Sequence, residues 1–176
     1  MSVSNLPDLP DLSSRAAFEA RLHELAATVG RALHAANLQM VSAESCTGGL
    51  VAAAITAHAG SSAWFERGFV TYSNDAKQES IGVPQALVDA HGAVSEAVAR
   101  AMAEGALAHS HAQRSLSITG VAGPDGGSAE KPVGTVWFGW SGHGETLAER
   151  LVFEGDRTQV RLQAAIHALE GLLKLC

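Results

Sequence analysis

Segments with the apolar spacing of helices alternate along this chain with short segments that are typical of strands. The predicted helices cover residues 15–37, 47–58, 84–90, 95–111 and 157–173, and the predicted strands cover residues 38–43, 69–72, 115–119, 135–140 and 147–153. Such alternation favours an α/β domain built in layers, and the direct strand–loop–strand connections late in the chain favour a mixed sheet. We therefore predict a layered α/β/α sandwich with a mixed sheet, with two small α+β lobes as the alternative.

The length and composition favour a single folded domain. The chain has 176 residues, of which 47% are hydrophobic and 17% are charged, and this is enough to bury one substantial core. We assign residues 14–176 to this domain. Residues 1–13 carry Pro7 and Pro10 among small polar residues and are expected to form a mobile tail, which Ser13 or Ser14 would end by capping the first helix.

The charge and the amino-terminal residues argue against several classes of protein. A net charge of −6 gives no general attraction to nucleic acid or anionic lipid, so we expect no direct nucleic-acid partner. No apolar run approaches the roughly 18 residues that span a bilayer, and the first residues lack the basic-then-apolar order of a signal peptide. We expect a cytoplasmic protein without a membrane partner, and the sequence leaves open whether it forms a homo-oligomer.

Motifs for metals and for common nucleotide cofactors are absent from the sequence. Cys46 and Cys176 are too few for a disulfide framework or a structural zinc site, and His109 and His111 would face different sides of their predicted helix. Neither H-E-x-x-H nor G-x-x-x-x-G-K-[ST] occurs. We therefore expect neither a metal site nor a cofactor.

The segment AESCTGG, residues 43–49, lies on the predicted turn from a strand into a helix. Backbone N–H groups at the start of a helix lack partners within it and attract anions, and Gly48 and Gly49 would let a ligand approach the backbone closely. The turn could therefore hold a phosphate or the oxyanion of an acyl-transfer intermediate. Ser45 and Cys46 compete as its nucleophile, and the alternative is that Ser45 only caps the helix.

A base for Ser45 must come from another part of the chain. Lys77, in the segment TYSNDAK, can act as in serine–lysine hydrolases, provided that burial or a dipole keeps its amine neutral. Tyr72 would lie on the predicted strand 69–72 and could relay a proton between the lysine and the serine. The alternatives are a solvated surface lysine and a tyrosine of the core.

The loop GVAGPDGGSAEKPVG, residues 120–134, is rich in glycine and proline. Its N–H groups could form a concavity that binds an anion, with Lys131 nearby. Arg157, which opens the last predicted helix, is a second candidate partner for a phosphate. The alternatives are a mobile loop and an exposed arginine.

Five runs of the sequence carry a resemblance to a known family. They are SAESCTGGLVAAAIT, AGSSAWFERGFVTYSNDAK, HGAVSE, GVAGPDGGSAEKPVGTVWF and FEGDR, and they span roughly residues 38–157. Together they resemble the carboxyl-terminal domain of the competence/damage-inducible protein CinA, whose stand-alone form is a nicotinamide-nucleotide amidase. The resemblance implies that a pyridine nucleotide is the substrate. The carboxamide of nicotinamide mononucleotide would be hydrolysed to nicotinate mononucleotide and ammonia, in the recycling of pyridine nucleotides.

The resemblance also implies roles for individual residues. The family's serine, lysine and tyrosine correspond to Ser45, Lys77 and Tyr72, so Ser45 would attack the amide carbon, Lys77 would accept its proton and Tyr72 would help carry it to ammonia. The further candidates, for the oxyanion or the nucleotide, are Glu44, Thr47, Gly48, Gly49, Asn74, Gly120, Gly123, Gly126, Gly127 and Arg157.

Within that set, we expect backbone N–H groups near Thr47 and Gly48 to hold the oxyanion, and the glycine-rich loop and Arg157 to hold the ribose phosphate. Glu44 would orient the lysine or the substrate amide, or would be a structural acceptor. The alternative to an enzyme is a non-catalytic domain that binds a nucleotide or a protein partner.

Overall fold

A five-stranded sheet lies between two layers of helices. The computed structural model describes residues 15–176, so the expected tail at residues 1–13 and the expected caps Ser13 and Ser14 lie outside the described residues. The helices are α1 (Arg15–Ala35), α2 (Leu50–Thr56), α3 (Asn74–Ile81), α4 (Gln85–His91), α5 (Glu96–Ala108) and α6 (Arg157–Leu173). The strands are β1 (Met40–Glu44), β2 (Phe65–Val70), β3 (Arg114–Gly120), β4 (Thr135–Gly142) and β5 (Glu145–Val152).

The sheet is mixed, as predicted. The strand order is β2-β1-β3-β4-β5, in which β2, β1 and β3 are parallel and β4 and β5 are antiparallel to their neighbours. Since β2 lies on one side of β1 and β3 on the other, the strand order reverses between β1 and β3. In open α/β sheets, ligands bind outside the carboxyl ends of the strands at such a point.

The helices cover both faces of the sheet, which confirms the predicted α/β/α layers. α1, α2 and α6 pack against one face, and α3, α4 and α5 pack against the other. On β3, the serines face the second layer, where the Ser115 hydroxyl donates to the carbonyl of Ala103 at 2.7 Å and the Ser117 hydroxyl to that of Ala99 at 2.6 Å. These hydrogen bonds satisfy polar groups that are fully buried.

The first turn of α2 departs from the prediction. The helix begins at Leu50 rather than at residue 47, because Gly48 and Gly49 have φ angles of 61° and 94°, in the left-handed region that an α-helix excludes. Side chains cap two of the other helices, since Ser95 and Asp156 each accept a hydrogen bond from a backbone N–H in the first turn of α5 and α6.

The segment that carries the candidate base also differs from the prediction. β2 ends at Val70, so the prediction that Tyr72 lies on a strand was wrong, and Tyr72 lies between β2 and α3. Lys77 is in α3, a helix absent from the predicted elements. Ser73 caps this helix by accepting a hydrogen bond from the N–H of Ala76 at 3.0 Å.

The packing of α3 on α5 depends on Gly105. A Cβ atom built at Gly105 overlaps the carbonyl oxygen of Ile81, the last residue of α3. In an unhindered helix, Gly→Ala stabilises by roughly 0.5–1 kcal/mol, whereas overpacking typically costs about 1–3 kcal/mol. We therefore expect Gly105→Ala to lower the free energy of unfolding by about 1–3 kcal/mol in urea titrations.

Glu104→Ala is the matched control, because Glu104 is the exposed neighbour of Gly105 on α5. Its effect should stay within about 0.5 kcal/mol. A Gly105→Ala protein that is more stable than the wild type would contradict the proposed close contact between the two helices.

Candidate active site

A cavity of about 200 Å³ lies at the carboxyl ends of β1 and β3. This is the point at which the strand order reverses. The residues that line the cavity are Ser45, Cys46, Tyr72, Asn74, Lys77, Ala93, Val94, Thr119, Gly120, Ala122 and Arg157. Four other surface cavities are larger, at about 310, 340, 510 and 540 Å³, but no serine or cysteine lines any of them. The smaller cavity is therefore the one that offers a nucleophile and a base.

Ser45 and Lys77 meet inside this cavity. Lys77 Nζ lies 3.2 Å from Ser45 Oγ and 2.9 Å from the carbonyl oxygen of Thr71. Lys77 is 1% exposed and Ser45 is 8% exposed. The backbone N–H of Ser45 donates to the carbonyl of Ile118 on β3 at 2.9 Å, so the nucleophile is fixed to the sheet. A nucleophile and a base within hydrogen-bond distance are what covalent catalysis requires.

The environment of Lys77 favours its neutral form. Burial lowers the pKa of Lys77 below its ordinary value of 10.5, because desolvation penalises the ammonium. None of the ion pairs between residues 15 and 176 includes Lys77. An amine without a carboxylate partner can lose its proton more easily, and it can then accept the proton of Ser45.

Cys46, the competing nucleophile, is in the opposite situation. Its side chain is 6% exposed, and burial raises the pKa of its thiol to about 11. The thiolate is the reactive form of cysteine, so a thiol with a raised pKa is a poor nucleophile near neutral pH. The electrostatics of the turn therefore favour Ser45 over Cys46.

Glu44 occupies the start of α2 with its own carboxylate. Its two oxygens accept hydrogen bonds from the N–H groups of Gly49 at 3.0 Å, Val51 at 3.1 Å and Ala52 at 2.9 Å. Glu44 is 1% exposed and contacts neither Lys77 nor the cavity in the described structure. This is the structural role that the sequence left open for Glu44, and the start of the helix is not free to bind a substrate anion.

The hydrogen bonds of the turn show which of the expected oxyanion donors are already bonded and which are not. The N–H of Gly48 donates to the carbonyl of Ser45 at 3.0 Å, and the N–H of Gly49 is taken by Glu44. Within residues 15–176, the N–H of Thr47 donates no hydrogen bond, and that of Cys46 contacts only the thiol of its own residue. The expected donation by the N–H of Gly48 is therefore not available, because this group is bonded within the turn, whereas the N–H of Thr47 has no acceptor.

Tyr72, Asn74 and Arg157 line the cavity on exposed segments. Arg157 Nη2 donates to the hydroxyl of Tyr72 at 3.1 Å, and its Nη1 donates to the carbonyl of Gly123 at 2.7 Å. Tyr72 is 61% exposed, and no hydrogen bond joins its hydroxyl to Ser45 or Lys77 among the described residues. Lys77 contacts Ser45 directly, without the expected relay through Tyr72.

The glycine-rich loop is only partly brought to the site. Gly120 lines the cavity and Gly123 contacts Arg157, whereas Gly126 and Gly127 do not line it. The ammonium of Lys131 donates to the carbonyl of His91 at 3.1 Å. The loop therefore approaches the cavity mainly through its first residues.

Several residues of the site were missed by the sequence analysis. Arg161 donates from Nε to the carbonyl of Cys46 at 3.0 Å and from Nη2 to the carbonyl of Thr47 at 2.7 Å. Thr71 supplies the carbonyl that binds Lys77, and Ala93 and Val94 form part of the cavity wall. For Arg161 a signal was present, since it follows Arg157 by one helical turn and shares its face of the helix.

Two kinds of feature are absent from the described part of the chain. No group of three or more His, Cys, Asp or Glu side chains within residues 15–176 is arranged to hold a metal ion. Over the same residues, no helix combines the length and the apolar character needed to cross a membrane.

Known proteins are similar to this chain over most of its length. A family model described as the CinA C-terminal domain matches residues 22–176. The chain is 56% identical over 157 residues to the nicotinamide-nucleotide amidohydrolase PncC of Enterobacter agglomerans, which covers 89% of this chain and 96% of that protein. It is 55% identical over 155 residues to the protein of the same name from Escherichia coli (strain K12), covering 88% and 94%.

A solved structure has the same architecture. The crystal structure of the competence/damage inducible protein CihA from Agrobacterium tumefaciens superposes with a TM-score of 0.86 and 44% sequence identity, covering 88% of this chain and 95% of that chain. The fold described above is therefore that of known proteins similar to this chain.

The carboxylate of Glu44 should contribute strongly to stability. In Glu44→Gln, one oxygen is replaced by an NH₂ group that faces backbone N–H donors, and the negative charge at the start of α2 is lost. We expect the free energy of unfolding in urea to fall by about 1–3 kcal/mol. Glu79→Gln, at an exposed position on α3, is the control and should be nearly neutral. Equal stability of both variants would mean that the capping bonds of Glu44 contribute little.

Proposed function

The chain belongs to the CinA C-terminal domain family, and we propose that it is a nicotinamide-nucleotide amidohydrolase that uses Ser45 as its nucleophile and Lys77 as its base. The substrate is nicotinamide mononucleotide, and the products are nicotinate mononucleotide and ammonia. The relatives named as nicotinamide-nucleotide amidohydrolases, which match most of the chain, support the reaction. The observation that carries the mechanism is the 3.2 Å contact between Ser45 Oγ and the buried Lys77 Nζ.

The reaction proceeds through an ester on Ser45. Neutral Lys77 takes the proton of the Ser45 hydroxyl while Oγ attacks the carboxamide carbon, which forms a tetrahedral oxyanion. The Lys77 ammonium then gives its proton to the departing nitrogen, the C–N bond breaks, and ammonia leaves. Lys77 next takes a proton from water, which attacks the ester. Finally, the proton returns to Ser45 Oγ as nicotinate mononucleotide is released.

We assign the ribose phosphate to the mouth of the cavity, where Arg157 is exposed. A phosphate is a stronger hydrogen-bond acceptor for a guanidinium than a phenol is, so substrate binding would release the Tyr72 hydroxyl from Arg157. The exposed Tyr72 side chain is then free to help carry the proton to ammonia. Asn74 and Gly120 also line the cavity and are proposed to contact the nucleotide.

A non-catalytic binding domain is the competing function. The buried lysine argues against it, because an amine kept from water beside a hydroxyl group lowers stability and serves no purpose in binding alone. We also infer that the enzyme acts in the cytoplasm, since its nucleotide substrate is charged and does not cross a bilayer unaided.

Ammonia release from nicotinamide mononucleotide tests the proposed function directly. Purified wild-type protein should release one equivalent of ammonia per nicotinate mononucleotide formed, with the product identified by chromatography. Ser45→Ala, purified in the same way, is the control for a contaminating amidase. A folded wild-type protein that releases no ammonia would leave the non-catalytic domain as the better description.

The two neighbouring nucleophiles should differ sharply in their importance. Ser45→Ala is expected to lower kcat by several orders of magnitude, on the order of 10⁴-fold or more as for other hydroxyl nucleophiles. Cys46→Ala should keep most of kcat, because the buried thiol stays protonated. Thermal midpoints of both variants show whether any loss follows from unfolding. The reverse ranking would make the protein a thiol hydrolase.

The charge of Lys77 should control the pH dependence. Wild-type kcat/KM is expected to fall as the pH falls through the lowered pKa of Lys77, because the ammonium cannot accept the proton of Ser45. Lys77→Arg should be nearly as inactive as Lys77→Ala, since a guanidinium stays charged at all of these pH values. If Lys77 only attracted the phosphate, arginine would rescue activity and alanine would mainly raise KM.

A further inference from the structure

We infer that Arg161 is a positioning residue that fixes the oxyanion site of the proposed amidase. This inference rests on the proposed function and concerns a residue that is not expected to touch the substrate. Arg161 lies on α6, is half-buried, and does not line the cavity. Its guanidinium donates to two successive carbonyl oxygens of the turn, that of Cys46 at 3.0 Å and that of Thr47 at 2.7 Å.

These contacts orient the peptide group between Cys46 and Thr47. In a trans peptide, the N–H points away from the carbonyl oxygen of the same group. Because Arg161 binds the Cys46 oxygen, the N–H of Thr47 points away from α6. In the preceding peptide group, the Ser45 oxygen accepts from the N–H of Gly48, and this bond orients the N–H of Cys46 in the same manner.

The two N–H groups oriented in this way have no acceptor in another residue of the described structure. Within residues 15–176, the N–H of Thr47 donates no hydrogen bond and that of Cys46 contacts only the thiol of its own residue, although Cys46 is 6% exposed and Thr47 is 0% exposed. A buried N–H without a partner is uncommon and costly. Cys46 lines the cavity beside Ser45 and Thr47 follows it, so an oxyanion formed on the carbon that Ser45 Oγ attacks would supply the acceptor that these N–H groups lack.

The charge of Arg161 strengthens the same donors. A carbonyl that accepts a hydrogen bond from a guanidinium becomes more polarised, and the N–H of its peptide group becomes a better donor. The bond of Nη2 to Thr47 fixes the next carbonyl, just before the left-handed residues Gly48 and Gly49. Since this turn lies outside α2, the Cys46 carbonyl accepts no backbone hydrogen bond within residues 15–176, and the Thr47 carbonyl accepts only that of the Leu50 N–H, at 3.4 Å. Arg161 provides the shorter contacts to both carbonyls.

Two other roles for Arg161 agree less well with its contacts. Its Nε and Nη2 atoms are already bound to carbonyls, and the side chain does not reach the cavity in which the phosphate would lie. Burial lowers the pKa of Lys77 and Cys46 opposes that shift, whereas Arg161 is not among the causes. Arg161 therefore acts through the peptide groups of the turn.

Substitution of Arg161 in the full-length protein tests this role with nicotinamide mononucleotide as the substrate. In Arg161→Gln, kcat should fall at least about tenfold, because loss of one oxyanion donor outright typically costs 10²–10³-fold. KM should change less than about twofold, because the oxyanion exists only after the attack. The pH at which kcat falls should stay at the wild-type value. Arg161→Lys, which offers a single charged group, should recover only part of kcat.

Arg114→Gln is the matched control. Arg114 also donates to two backbone carbonyls, those of Leu175 and Gln113, but it lies at the amino end of β3, opposite the site. Thermal midpoints of all variants are measured in parallel. Arg114→Gln should lower the midpoint while kcat per folded molecule stays near the wild-type value.

Each contrary outcome has a separate meaning. The role of Arg161 would be overturned by any one of four results. These are an unchanged kcat in folded Arg161→Gln, an equal fall of kcat in Arg114→Gln, a rise in KM without a fall in kcat, and a change in the pH at which kcat falls. If Arg161→Gln does not fold, Arg161→Lys is judged by the same measurements, and failure of both to fold would show that Arg161 serves stability and not positioning. An inactive wild type would instead overturn the proposed function itself.

Discussion

The contact on which the site depends is the one between the buried amine of Lys77 and the hydroxyl of Ser45. An amine that is 1% exposed and has no carboxylate partner in the described structure is destabilising, and the surrounding fold must offset that cost. Three features hold it in place: the Ser73 cap starts α3, Gly105 lets the end of α3 pack closely on α5, and the carbonyl of Thr71 accepts a hydrogen bond from Nζ. The same burial lowers the pKa of Lys77, so the stability cost and the catalytic base have one origin.

Two charges of opposite sign, the buried Glu44 and the half-buried Arg161, hold the turn that carries Ser45. The Glu44 carboxylate binds N–H groups at the start of α2, and the Arg161 guanidinium binds the carbonyls of the turn itself. A turn with two left-handed glycines cannot satisfy its own backbone groups as a helix does, so side chains must satisfy them. After both charges have bonded, the N–H groups of Cys46 and Thr47 are left without an acceptor in any other residue between 15 and 176.

The architecture could be predicted from the sequence, but the connections within the site could not. The alternating periodicities predicted the mixed α/β/α sandwich, and the composition of AESCTGG identified the turn and its glycines, because both signals are local. α3 was missed because NDAKQESI is polar apart from Ala76 and Ile81, although its lysine faces the interior. Arg161 could not be assigned because it lies 115 positions from Cys46, and helical spacing does not say which distant turn a side chain meets. Whether Glu44 binds backbone N–H groups or contacts the lysine or the substrate likewise depends on the direction of its side chain.

The antiparallel half of the sheet brings the chain to α6, at the site, without a helical crossover. β3 ends at the same end of the sheet as β1, and β4 starts from that end, where Val136 pairs with Gly120. β4 then runs to the opposite end of the sheet, and β5 returns, so that Val152 pairs with Thr135 at the end of the sheet where the cavity lies. The chain therefore enters α6 at the end of the sheet that carries Ser45. The first two turns of that helix place Arg157 at the mouth of the cavity and Arg161 against the turn. In a wholly parallel sheet, a crossover would be needed before each strand, since parallel neighbours cannot be joined by a tight turn. The return of β5 delivers both arginines to the site without such a crossover.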